Sequence, residues 1–246
     1  MLARVLSVGL LAGVVAGLLI ALLQQVTTTP LILLAETYEK QSDASAAPAA
    51  PATPSAPGTQ KEHDHAAHAE GWKPAEGLSR FFYTSVATIA TAVGISFLLL
   101  AGMVFAGEAI DERRALAWAI AGFVACGLAP AAGLAPELPG SGAGALMARQ
   151  IWWIGTAIAT AAALWAFLRL ENVVVRLGAV VLLFLPHVIG APHPHALESK
   201  VPAEIAAQFA ALSLVVQALL WVFAGVAIGL LWPRFAPRTA SRPLPS

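Results

Sequence analysis

Three short stretches of this chain carry side chains able to hold a metal ion. His63, Asp64, His65 and His68 form one cluster, and His187, His193 and His195 form a second. Glu137 sits in a proline-bounded turn, Pro136-Glu137-Leu138-Pro139-Gly140. Neutral imidazole is the commonest ligand for first-row transition metals, and a carboxylate oxygen beside it suits a six-coordinate divalent cation. Residues before proline are pushed to extended backbone, so His193, which precedes Pro194, and His195 two residues on should project to a similar side. His187 follows Pro186, whose missing N–H frees a carbonyl in the preceding turn. Glu198 is a weaker candidate of the same kind as Glu137. Ligand type alone does not name the ion, because nickel, copper and zinc bind such sites as well as cobalt does.

The elements that must position these groups are membrane helices. The chain is 58% hydrophobic and 11% charged, with a mean hydropathy of +0.75, too apolar for the surface of a soluble domain. The formal net charge is zero and no basic run is long enough to grip nucleic acid. Cys126 is the single cysteine, which excludes an intrachain disulfide and leaves it as a small core residue. The sequence has no Gly-x-x-x-x-Gly-Lys phosphate loop, no His-Glu-x-x-His helix and no nucleophile motif, and no organic cofactor is expected.

Apolar stretches near twenty residues fall at 5–26, 82–106, 115–134, 150–168, 173–191 and 206–231. Each is expected to be a helix, since in hydrocarbon every backbone group must be satisfied within its own segment. The expectation is an all-α integral membrane bundle of six transmembrane helices with a disordered, His-bearing exported loop. The fifth stretch is the weakest, because Arg176 lies one turn in and Pro186 interrupts its far end. If Arg176 snorkels to the headgroups the span survives; otherwise the segment is re-entrant and the chain crosses five times. With six crossings Arg4, Arg113, Arg114, Arg169, Arg176, Arg234, Arg238 and Arg242 fall on one side, which the positive-inside rule makes cytoplasmic. Both termini are then cytoplasmic, in a bacterial inner membrane.

The domains expected are residues 1–35, a first helix and its exit; 36–80, an exported Ala/Pro-rich linker; 81–235, a five-helix bundle; and 236–246, a cytoplasmic tail. Pro48, Pro51, Pro54 and Pro57 repeat every third residue, so the linker should be a semi-extended polyproline spacer carrying His63, His65 and His68. The first apolar run is too long for a signal-peptide core and is expected to be retained. Gly9, Gly13 and Gly17 share one groove of that helix, as do Gly225 and Gly229 in the last, and both rows predict close helix packing. Arg149, Trp153, Thr156 and Thr160 share a face; Thr84, Thr88 and Thr91 form a hydroxyl row; Gln217 is the clearest amide within a span.

The order of these features resembles the CbtA family of predicted cobalt transporter subunits, found in bacteria beside cobalamin-related genes. The resemblance covers most of the chain outside the linker. It rests on the N-terminal helix, the His-bearing first loop, the Pro136 to Gly140 turn, Arg149-Gln150-Ile151-Trp152-Trp153, and the stretch from Leu185-Pro186-His187 to Pro194. It implies cobalt uptake, a bundle of about five spans, and a companion, CbtB, a short single-span protein with a His-bearing end. The function expected is therefore the membrane subunit of a divalent-metal uptake system that captures Co2+ as its substrate. His187, His193, His195, Glu137, His63, His65 and His68 are the expected ligands, with the lipid bilayer as surroundings. Two other classes stay open: a metal-binding sensor or scaffold subunit without transport, and a metal-dependent membrane enzyme.

Overall fold

The structure is a computed structural model that describes residues 1–46, 77–139, 145–193 and 199–235, with the side chains of 43–46 left aside. It contains α1 (Leu2–Val26), α2 (Thr28–Ala46), α3 (Leu78–Phe105), α4 (Glu112–Ala131), α5 (Leu146–Arg169), α6 (Val173–Ile189) and α7 (Ala203–Leu231), closed by a 3₁₀ turn at Trp232–Phe235. No strand occurs among the described residues. α1, α3, α4, α5 and α7 are long and apolar enough to cross a bilayer. The chain is a multi-pass helical membrane protein, and the large apolar side chains left exposed, such as Leu10, Ile158 and Val181, face what would be lipid.

α1 and α3 run antiparallel in close contact, and the glycine row causes it. Gly9, Gly13 and Gly17 lie against Phe97, Val93 and Ile89 in turn, with a Cβ on Gly13 falling on the Val93 backbone. Lipid tails are as apolar as the helices, so association here comes from dispersion across backbones that small residues allow to approach. α7 uses the same device on α4: Gly225 faces Ala115 and Ala119, and Gly229 faces Glu112. The core is therefore α1, α3, α4 and α7, joined through Val8, Ala12, Leu100, Met103, Ala224 and Ile228.

Contacts fix two ends of the bundle. At the end called lower here, Arg4 caps the chain's last turn, its Nε donating to the Trp232 carbonyl at 3.1 Å with the guanidinium 3.9 Å from the indole centroid. At the upper end Arg80, at the start of α3, donates to the Glu36 carboxylate on α2 at 3.0 Å. α2 lies across this end, with Ala35 buried against Leu138 and Val201. The helix thus continues through the 35/36 boundary expected from sequence and reaches Ala46.

α5 and α6 form an antiparallel hairpin. Asn172 caps α6 by accepting from the N–H groups of Val174 (2.9 Å) and Val175 (3.3 Å), and Gly190, at φ 87°, ends it. α6 packs on α5 and on no other helix to a comparable extent. At 17 residues it is about 25 Å long, just under the hydrocarbon thickness. Its ends nevertheless lie at opposite ends of the bundle. It starts one short loop after Arg169, which pairs with Glu108 at the lower end, and runs up to Ala191, whose Cβ abuts Gly133 above α4. Arg176 turns back so that its Nε donates to the Leu170 carbonyl at 2.9 Å.

Candidate functional site

A cleft of about 690 Å³ opens at the upper end between α4, α5 and α7. Its mouth holds Glu137, from the turn after α4, and Arg149, from the first turn of α5, paired at 2.7 Å. Gln150 and Trp153 form its α5 wall, and Gln217 with Cys126 and Gly127 lies at its floor. Glu137 is thus not the free carboxylate that the turn alone suggests. Its negative charge is neutralised by a guanidinium whose side chain is 19% exposed, against 36% for Glu137.

The floor is shaped by an irregularity in α4. Val124–Leu128 is a π-turn, and the Ala129 N–H bonds the Val124 carbonyl in place of Ala125, the partner a regular α-helix would give it. Pro130 follows and has no N–H to offer the Cys126 carbonyl. Two successive carbonyls thereby lose their usual helical donors. Gln217 stands over the same turn: its Oε1 is 2.9 Å from where a Cβ on Gly127 would be.

A second cavity of about 370 Å³ lies on the other side of α7, between α1, α2 and α3. It carries Gln24, Thr28, Thr88, Thr91 and Ser213, and again Gln217. Thr88 donates to Gln24 Oε1 at 3.0 Å, while the Thr91 hydroxyl is turned to the Ala87 carbonyl at 2.9 Å. Thr84, the third of that row, is exposed and bonds its own helix at Arg80 and Phe81. Thr156 and Thr160 are fully buried, and their hydroxyls have no hydrogen-bond partner among the described residues.

Below mid-depth the character changes. A groove of about 540 Å³ between α3, α4 and α5 is walled by Trp118, Trp165, Leu98 and Ile158. It ends at the lower surface on Glu108, paired with Arg169 and 3.7 Å from Arg114. Arg169 also lies 5.0 Å from the Trp165 ring centroid. This half is apolar. α5 is therefore tied to the rest of the bundle by an arginine–glutamate pair at each end.

The residues expected as ligands are dispersed in part. His187 is half-buried on α6 and meets Trp152 edge to face, with ring centroids 5.9 Å apart. Trp152 Nε1 donates to the Pro186 carbonyl at 3.3 Å, so this tryptophan bridges the hairpin. His187 does not line the cleft. His193 is exposed on the strand of coil beyond Ala191. His63, His65, His68, His195 and Glu198 lie outside the described residues, as do Arg238 and Arg242. Among the described residues no three His, Cys, Asp or Glu side chains converge as a ready metal site. Sequence reasoning missed the Glu137–Arg149 pair and the π-turn; the only signals were the two opposite charges twelve positions apart and Pro130 near a span's end.

A family model described as probable cobalt transporter subunit (CbtA) matches residues 2–233. No curated protein and no solved structure matches the chain.

Proposed function

This chain belongs to the CbtA family of probable cobalt transporter subunits, and from that premise we propose that it admits a divalent metal ion, cobalt, through the upper cleft. The observation that carries the reading is the Glu137–Arg149 pair at the mouth of a cleft that reaches mid-membrane. The Arg149 guanidinium occupies the Glu137 carboxylate. An arriving cation competes for the same oxygens and releases Arg149.

The upper end is outside. Arg4, Arg113, Arg114, Arg169, Arg176 and Arg234 all stand at or near the lower end, which the positive-inside rule makes cytoplasmic. With α6 running from the lower to the upper end, the chain crosses six times. The exported His63, His65 and His68, together with His193 and His195, then collect hydrated ions beside the mouth, and neutral imidazole gives way to the Glu137 carboxylate. His187 lies behind the α5 wall of the cleft, against Trp152, whose neighbour Trp153 lines it. Being a subunit, the chain works with a partner, and a short single-span, His-bearing protein of the CbtB kind would add imidazoles at the same face.

The test is Co2+ uptake into liposomes holding the purified protein, with and without that companion. Glu137→Gln and His187→Ala should each lower uptake, and His187→Gln should not restore it. Normal uptake by His187→Gln would make His187 a packing residue for Trp152. A second reading, a metal sensor or scaffold without transport, is favoured by the apolar walls of the lower groove, which offer a hydrated ion no ligand between mid-depth and Glu108. Metal binding to the protein with no uptake under any pairing would establish it.

A further inference from the structure

We propose that Gln217 and the π-turn of α4 form a mid-membrane cation station built of neutral oxygens, the point through which the ion leaves the upper cleft. The inference rests on the transport reading above. Three observations carry it independently of the mouth.

Gln217 lies 14 residues after Ala203 and 14 before Leu231, at the middle of α7 and about 21 Å from either end. It lines both upper cavities, the one beside α4 and α5 and the one beside α1 and α3, so both end on this one amide. In the neighbouring turn of α4 the carbonyls of Ala125 and Cys126 lost their helical donors to the π-turn and to Pro130, and Cys126 lines the cleft beside Gln217. Helix carbonyls point towards the C-terminal end of their helix, which for α4 is the upper end and the cleft. Backbone carbonyls released inside a membrane are tolerated where they line a cavity, and there they are ready oxygen ligands for a cation.

Neutral ligands also suit the position. A cation must be held at mid-depth firmly enough to enter and loosely enough to leave, and a carboxylate there would trap it. Amide and carbonyl oxygens replace part of a divalent ion's water shell without adding a fixed charge. Gly127 is required by the same geometry: a Cβ would lie 2.9 Å from Gln217 Oε1 and equally close to the Phe123 ring, displacing the amide from the turn.

The experiment uses the full chain in liposomes with Co2+ as the probe, reading uptake and equilibrium binding together. Gln217→Leu and Gly127→Ala should each reduce uptake by about tenfold or more, the loss expected for one missing ion ligand, while Co2+ binding at the Glu137 mouth stays within about twofold. Gln217→Glu should bind Co2+ more tightly and turn over more slowly. Gly155→Ala, at a position where a Cβ meets nothing within 4 Å, serves as the control and should transport normally. Unchanged uptake in both Gln217→Leu and Gly127→Ala, with an active wild type, overturns the station and leaves the transport reading intact. If the wild type itself carries no Co2+, the transport reading fails, and the station is decided by binding in a Glu137→Gln background. There Gln217→Glu must exceed Gln217→Leu in Co2+ affinity by about tenfold or more, as an added charge in a low-dielectric site requires; equal affinities overturn it. Should Gly127→Ala fail to fold, the two Gln217 variants still decide.

Discussion

Replacing Arg149 with glutamine should tighten metal binding, although it removes a residue from the site. Arg149 and Glu137 are 2.7 Å apart, and bulk-water screening alone leaves about 1.5 kcal/mol of attraction at that distance. The carboxylate is 36% exposed, so solvent screening and the entropy of holding two long side chains reduce the net value to about 1 kcal/mol. A metal that must displace the guanidinium gives up that amount. Its removal should raise Co2+ affinity about fivefold, with a further gain in the same direction from losing a positive charge beside the ion. Titrating purified protein with Co2+ and following the fluorescence of Trp152 and Trp153 measures it, since both stand on the same turn of α5 as the mouth. The fivefold part of the gain must vanish in the Glu137→Gln background, because it exists only if the freed carboxylate is the ligand, leaving there only the smaller effect of the lost positive charge. An Arg149→Gln protein that binds Co2+ with unchanged or weaker affinity would refute the displacement argument.

Gly13→Val should separate α1 from α3 and cost about 1–3 kcal/mol or more by overpacking, seen as a lower unfolding midpoint in detergent, whereas Gly94→Ala, with open space around it, should be neutral or slightly stabilising. Reporter fusions after Arg238 and after Glu70 should read cytoplasmic and exported respectively; an exported Arg238 fusion removes the six-crossing topology. Deleting residues 44–69, which takes away His63, His65 and His68 but no helix of the core, should lower uptake only when metal is scarce, as loss of local concentration requires. Equal loss at saturating metal would assign those histidines to the path itself. Arg169→Gln should loosen the lower end of α5 by about 1 kcal/mol, the value of a part-exposed pair, and raise hydrogen exchange in its last turns before any other span responds.

The spans were legible in the sequence because bilayer thickness imposes length and apolarity directly: all six apolar stretches are helices, with ends shifted by a few residues. The glycine rows were legible for the same reason, being local patterns on one helix. α2 was not. Glu36, Glu39, Lys40 and Ser42 give its second half the composition of a linker, yet Ile32 and Ala35 pack on Leu138 and Val201, contacts made by residues more than a hundred positions away. Gln217 could be picked out as an amide in a span, but its setting could not, since that depends on a π-turn in another helix. Glu137 was read as a carboxylate offered by a stiff turn; its guanidinium partner comes from the next helix and only the fold brings them together. His187 was read as standing near its fellow histidines, and the hairpin instead sets it against Trp152.

The central place of α7 dictates an order of biogenesis. α7 is made after the other six helices, yet it is the element that α1, α3 and α4 all pack against. Until residues 203–231 leave the translocon, the Ala115, Ala119 and Gly122 face of α4 lacks the helix that covers it, and the α5–α6 hairpin has inserted beside an unfinished core. A chain halted before Ala203 therefore keeps the α1–α3 and α5–α6 pairs but lacks the helix that joins α4 to α1 and α3, and stands open to quality-control proteases.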